Sequence, residues 1–264
     1  MRPDTCSPWV WLPPLMSLVL LGALAGAAAN RSVFVLLNRI GHPLGDTLWL
    51  NLTMLGDGAV ALAMVLPAIR RSPRCFWAAL IAAVFATLWV QLLKQAISVP
   101  RPLAVLAPEQ FFQSGPAYRA VSFPSGHAAA IFAIVGIWIM GLQSGALLRW
   151  ALLVLAILVS LSRVMVGVHW PIDILWGMLG GWLGAWLGLV VYARYQWKTS
   201  GTGGLVAGLV LLLVAAALLV SNHVRIPVVL PFQRALGAIC AAWGAWEMFL
   251  MLPRVKLRGQ SKGE

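Results

Sequence analysis

Apolar residues come in runs of up to about twenty, separated by short polar breaks, along almost the whole 264-residue chain. A helix of about 20 such residues spans a bilayer's hydrocarbon core, so the pattern predicts a polytopic, all-α membrane bundle. Eight segments fit: residues 9–28, 57–69, 76–93, 127–142, 148–161, 171–192, 205–220 and 230–252. The first reads as an uncleaved span, because only Arg2 precedes it and Pro13 and Pro14 interrupt it, unlike a signal peptide. Residues 30–56 mix Arg31, Arg39, His42 and Asp46 with apolar positions, a pattern of short helices lying in the membrane interface. The second span has an open N-terminal limit and stops at Arg70, Arg71 and Arg74. A long loop, 95–123, carries Pro100, Pro102, Pro108, Glu109, Phe111, Phe112 and Arg119, and the basic tail 253–264 is expected to fray. Three regions result: 1–56 with the first span and interfacial helices, 57–192 as a core, and 193–264 with two further spans and the tail.

Composition agrees. The chain is 61% hydrophobic and 10% charged, against roughly 25% charged in a soluble domain. A net charge of +12 would suggest nucleic acid in a soluble protein. In a membrane protein it marks cytoplasmic loops, so no nucleic-acid partner is expected. Sorting loops by parity puts more Lys and Arg with the two termini and the Arg70–Arg74 stretch than on the other face. The termini are therefore expected in the cytoplasm. Cys6, Cys75 and Cys240 offer no matched pair outside the membrane, so no structural disulfide is expected. Gly177, Gly181, Gly184 and Gly188 share a helix face with Asp173, which predicts close helix packing there and an inward-facing carboxylate.

Polar residues concentrate in three stretches. Lys94 is followed by Arg101-Pro102, then comes Pro124-Ser125-Gly126-His127, then Ser162-Arg163 with His169 and Asp173. Each lies at a span end, and parity puts all of them on one face, opposite the termini. Pro171 suits a first helical position. His169 then sits in the loop before the sixth span, and Asp173 in its first turn, within reach of the ring. A carboxylate holding one imidazole nitrogen leaves the other as base or nucleophile. Ser125 is a good helix N-cap and Gly126 lets backbone approach a ligand, so this helix start offers amides to an anion. Lys94, Arg101 and Arg163 add three cations suited to phosphate.

Each piece has a plainer reading. Lys94 could snorkel from a helix end, and Pro124–His127 could be an ordinary turn and cap. His127 and His169 could ligate zinc, but no nearby third ligand is evident and the cations would repel a metal. Glu247, inside the eighth span, reads as a buried or snorkelling polar group.

Together, K-x6-RP, PSGH and SR-x5-H-x3-D resemble the three signature motifs of the type 2 phosphatidic acid phosphatase superfamily, over roughly residues 55–190. The resemblance implies a six-span helical core, to which the last two spans are additional. It implies phosphate binding by Lys94, Arg101, Arg163, Ser125 and Gly126. It further implies attack on phosphorus by His169, orientation of His169 by Asp173, and proton transfer by His127. No metal or cofactor is expected. Soluble vanadate-binding haloperoxidases share these motifs, but the apolar spans argue against that branch. The expected protein is an inner-membrane lipid phosphatase with its site at the outer leaflet. Undecaprenyl pyrophosphate is the first substrate choice, with phosphatidylglycerol phosphate, phosphatidate and lipid A phosphate open. A phosphotransferase passing phosphate to an acceptor lipid is the nearest rival. A non-enzymatic lipid carrier would need no acid and nucleophile pair.

Overall fold

The structure is a computed structural model that describes residues 7–142 and 145–252. Among these residues twelve α-helices follow in order: α1 (Pro8–Gly26), α2 (Asn30–Gly41), α3 (Asp46–Met54), α4 (Gly58–Val65), α5 (Ala68–Arg71), α6 (Pro73–Ala96), α7 (Pro102–Val105), α8 (Gly126–Gly141), α9 (Ala146–Met165), α10 (Pro171–Tyr195), α11 (Thr202–Val220) and α12 (Leu230–Phe249). Six of them, α1, α6, α9, α10, α11 and α12 (from Pro227), are long and apolar enough to cross a membrane. Two more expected spans take other forms. The 16-residue α8 is shorter, about 24 Å at 1.5 Å per residue, and most of its side chains are buried by neighbouring helices. The second expected span falls on a helix pair, α3 and α4, that is long and apolar enough only when taken together and is bent by 53° at its break.

That bend bears on the reading of 30–56 and on the open N-terminal limit of the second span. Helix α2 and the turn after it stay apart, whereas α3, which starts at Asp46, reaches the length and apolarity of a span only together with α4, as a broken span or a re-entrant loop. Gly56 lies at the break, where a Cβ would sit 2.9 Å from the His127 carbonyl and 3.0 Å from its Cβ. Helix α4 restarts at Asp57, whose Oδ1 accepts from the amides of Ala59 (2.9 Å) and Val60 (3.2 Å), a cap worth about 1 kcal/mol.

Helices α6, α8 and α10 form the centre, with α1 against α10 and α9 against α8. The expected glycine face makes this possible. A Cβ on Gly177 or Gly181 would collide with the carbonyls of Ser125 or Ala129 on α8, and one on Gly188 with that of Ala78 on α6. The side without side chains therefore carries Asp173 against the start of α8. Helix α1 is tied on by Trp182 Nε1, which donates to Val10 O at 2.9 Å.

Helices α11 and α12 pack on each other and on α4, with α12 also touching α5. Glu247 of α12 is fully buried. It accepts from Arg70 Nε (2.6 Å), Arg71 Nε (2.5 Å) and Trp243 Nε1 (3.1 Å). A carboxylate out of water needs such partners, and here they fasten α12 to α5. Cys75 and Cys240 are buried free thiols in different clusters. Cys6, Arg2 and the whole tail, 253–264, lie outside the described residues.

Candidate active site

The long loop is closed by its own backbone. Pro100 bridges Val121, and the Ser122 amide donates to Val99 O at 2.8 Å. The closure brings Arg101 and Ser122 to the helix ends. Asn38 of α2, fully buried, anchors the far side. Its Nδ2 donates to the carbonyls of Phe112 (2.9 Å), Val164 (3.1 Å) and Met165 (2.9 Å), and its Oδ1 accepts from the Phe112 amide at 2.7 Å. Phe34 packs at tilted angles against Phe111 of the long loop and against Trp170, with ring centroids 5.5 and 5.0 Å apart. Phe112 is half exposed and stacks on the His42 ring. The phenylalanine pair therefore anchors the loop.

Helix α10 begins at Pro171, with Trp170 extended as the pre-proline residue must be. Asp173 Oδ2 accepts from the Trp170 amide at 2.9 Å and from the Ser122 hydroxyl. The same oxygen lies 3.2 Å from His169 Nδ1, and Ser122 Oγ lies 3.3 Å from it. An acceptor carboxylate and a hydroxyl already committed as donor both ask for a proton on Nδ1. This tautomer leaves the Nε2 lone pair free, and Nε2 has no hydrogen-bond partner among the described residues. His169 is 2% exposed. Burial, and then the charges of Arg163, Arg101 and Lys94, hold its pKa well below the usual imidazole range, so the ring stays neutral.

The cations surround this pair. Arg101 Nη1 donates to Val168 O at 2.9 Å, and its guanidinium lies over the Tyr118 ring at 5.0 Å. Arg163 Nη1 donates to Thr53 Oγ1 at 2.8 Å. Both Nε atoms are buried and without a protein partner. An unpaired buried donor is costly, and an anion's oxygens would satisfy it. Lys94, half-buried at the end of α6, is in electrostatic range of Arg101, Arg163 and Asp173. Ser125 caps α8, accepting from the Ala128 amide at 3.5 Å, and its own amide donates to Asp173 O at 2.9 Å. Gly126 opens that helix, and His127, in its first turn, is in electrostatic range of Arg163, His169, Arg101 and Lys94.

Every residue singled out in the three sequence stretches thus lies at one end of the bundle. Four neighbours were not singled out: Ser122, Asn38, Thr53 and Tyr118. Two cavities meet at His127. One, of about 300 Å³, is an apolar groove between α4, α6 and α8, lined by small residues such as Ala61, Ala83, Ala86 and Ala130. The other, of about 850 Å³, is the more polar of the two, with Thr53, Asp57, Tyr118 and Arg163 in a wall that also holds apolar residues such as Leu50 and Val168. The arrangement supplies a free imidazole nitrogen, a second imidazole, three cations and a helix N-terminus, which is a set suited to phosphoryl transfer.

Comparison with known proteins agrees with the geometry. The profile of the PAP2 superfamily matches residues 75–200. The lipid A 1-phosphatase of Rhizobium etli (strain ATCC 51251 / DSM 11541 / JCM 21823 / NBRC 15573 / CFN 42) is 29% identical over 192 residues, 68% of this chain and 80% of that protein. The protein named "Putative undecaprenyl-diphosphatase YbjG" of Escherichia coli (strain K12) is 47% identical over 60 residues, 22% of this chain and only 28% of its own length. The crystal structure of Aquifex aeolicus LpxE is similar at a TM-score of 0.55 and 28% identity, over 61% of this chain and 94% of that one. The profile match contains all three polar stretches within an all-helical, membrane-type bundle, and residues 75–200 form a PAP2 superfamily region.

Proposed function

We propose that this protein is an integral-membrane lipid phosphatase that cleaves a lipid phosphate or pyrophosphate through a phosphohistidine, with undecaprenyl pyrophosphate the first substrate to test. The position of His127 carries this reading. It borders both the apolar groove and the polar chamber. A lipid chain held between α4 and α8 would present its phosphate to the cations. The longer match, over 192 residues, to the relative named as a lipid A 1-phosphatase supports a second reading, lipid A 1-phosphate.

In this mechanism Lys94, Arg101 and Arg163 hold the phosphate oxygens, with Ser125 and the Gly126 amide at the helix start. Nε2 of His169 forms a bond to phosphorus as the bond to the lipid-side oxygen breaks, and His127 gives that oxygen its proton. Asp173 keeps the His169 tautomer and balances the positive ring that forms. His127 then takes a proton from water as the water attacks the phosphohistidine, releasing inorganic phosphate. Three cations and a helix end already balance the anion, so no metal is needed. The test is phosphate release from purified protein, in chelator, across lipid phosphates and pyrophosphates, with an acceptor lipid present. Activity restored only by zinc or magnesium would refute the metal-free step. Phosphate appearing on the acceptor alone would identify a transferase.

Ser122 acts as a positioning residue here. Ser122→Ala removes one of two groups that hold Nδ1, so kcat is expected to fall roughly tenfold with KM nearly unchanged. A change in KM alone would assign Ser122 to binding.

The site is proposed to face the outer leaflet, with the α10–α11 loop in the cytoplasm. Ala120 and Ser200 are both exposed, the first in the site-end loop and the second at the other end of α10. In a background lacking Cys6, Cys75 and Cys240, Ala120→Cys should react with an impermeant thiol reagent on intact cells and Ser200→Cys should not. The reverse pattern would place the site in the cytoplasm.

A further inference from the structure

The polar chamber is lined partly by residues from outside the matched region. His223, Val224, Arg225, Ile226 and Pro227, in the loop between α11 and α12, share its wall with His127 and Arg163. That loop is held in place from three sides. His223 Nε2 lies 3.3 Å from Asp57 Oδ1, the cap of α4. Ile226 packs in the cluster of Leu50, Met54 and Val60. Ile226 also meets the site-end loop at Gly115, where a Cβ would come 3.3 Å from Ile226 Cδ1. Within this fixed loop Arg225 adopts φ +58°, a left-handed conformation that glycine or asparagine takes at far lower cost than arginine. Its amide closes a turn onto Asn222 O at 3.3 Å, and no carboxylate pairs with its guanidinium among the described residues. Asp57, the acid in the same wall, is engaged by His223 and by the α4 amides. At about 850 Å³ the chamber is also larger than one phosphate group fills.

We infer that the α11–α12 loop is a headgroup-reading wall of the active-site chamber, in which Arg225 binds a second anionic group of the substrate beside the phosphate under attack. The inference rests on the lipid phosphatase reading above and assigns the two additional spans a task within it: they carry a specificity determinant over the site. The chemical class selected is a lipid headgroup with two adjacent anionic groups, such as a pyrophosphate. A lipid monophosphate has nothing for Arg225 to hold.

The test compares one isoprenoid chain as monophosphate and as pyrophosphate, in detergent micelles, with wild type, Arg225→Ala and Arg225→Lys. Arg225→Ala should raise KM for the pyrophosphate about tenfold or more, the loss of one charge-assisted contact. Its kcat should stay within about twofold, and both constants for the monophosphate should stay near wild type. Arg225→Lys should recover most of the pyrophosphate KM, because the charge is kept. Equal loss on both substrates would overturn the inference, since a loop that merely props up the site cannot tell them apart. No change on either substrate would overturn it too. Both of those results leave the phosphatase reading standing. Wild-type protein that releases phosphate from neither lipid would overturn the phosphatase reading and this inference with it.

Discussion

His169→Ala is expected to abolish phosphate release, with kcat/KM reduced about 10⁴-fold or more. No other group at the site combines the three properties that the covalent step needs. The ring is neutral because burial and three cations disfavour its protonation. Its Nδ1 is held by Asp173 and Ser122. Its Nε2 is free to attack. His127 has no carboxylate partner among the described residues and sits in the first turn of α8. The measurement is phosphate release by the purified variant, paired with its thermal midpoint in detergent to show that the bundle survives. Trapping labelled phosphate on protein sharpens it: wild type should carry acid-labile, alkali-stable label, and the variant none. Hydrolysis near the wild-type rate would remove His169 from the mechanism. Because the free ring is already neutral, wild-type kcat/KM should not fall as pH drops through the ordinary imidazole range on account of this residue. A fall there must come from another group.

The parts of this site that were legible in the sequence are those written locally. Pro171 sets the start of α10 and thereby places Asp173 one turn past His169, so their contact at 3.2 Å follows from a four-residue spacing. Ser125 announces the start of α8 in the same way. The glycines of α10 announce that the Asp173 face meets another helix, although not that α8 and α6 share it. What stayed hidden has no local signature. Ser122 meets Asp173 across 51 residues, Thr53 meets Arg163 across 110, and Asn38 meets Met165 across 127. An isolated hydroxyl or amide among apolar neighbours looks the same whether it caps, solvates or orients a nucleophile. The partner that decides between these is chosen by tertiary packing.

The second span shows a different limit. Hydropathy averaged along the chain finds where an apolar run is interrupted but not how the chain turns there. At Leu55, Gly56 and Asp57 the interruption reads as a boundary between an interfacial segment and a span. In the structure the helix pair α3 and α4 bends by 53° there, at a glycine, Gly56, where a Cβ would crowd His127. The same bend delivers Thr53 and Asp57 to the polar chamber. The two additional spans were visible as helices, yet nothing in their apolar sequence tells that their connecting loop returns to the site.

His127→Ala is the second large effect, and its size should depend on the leaving group. With a lipid phosphate or pyrophosphate the departing oxygen is basic and needs a proton as its bond to phosphorus breaks. Loss of the acid is then worth about 10²–10⁴-fold. An aryl phosphate such as p-nitrophenyl phosphate releases a stable phenolate that needs no proton. For that substrate the first step should survive in His127→Ala. The second step should not, because water attacking the phosphohistidine still lacks a base. The expected record is a burst of nitrophenol approaching one equivalent per active protein, followed by slow turnover, with phosphate retained on His169. Wild type should show a smaller burst, with only part of the protein carrying phosphate at steady state, because its second step keeps its base. The double variant His127→Ala, His169→Ala should show no burst, which separates a covalent intermediate from tight product binding. Equal slowing of lipid and aryl substrates without a burst would mean that His127 only binds the phosphate. The proton would then have to reach the leaving oxygen from water in the polar chamber, on whose wall His127 and Arg163 both stand.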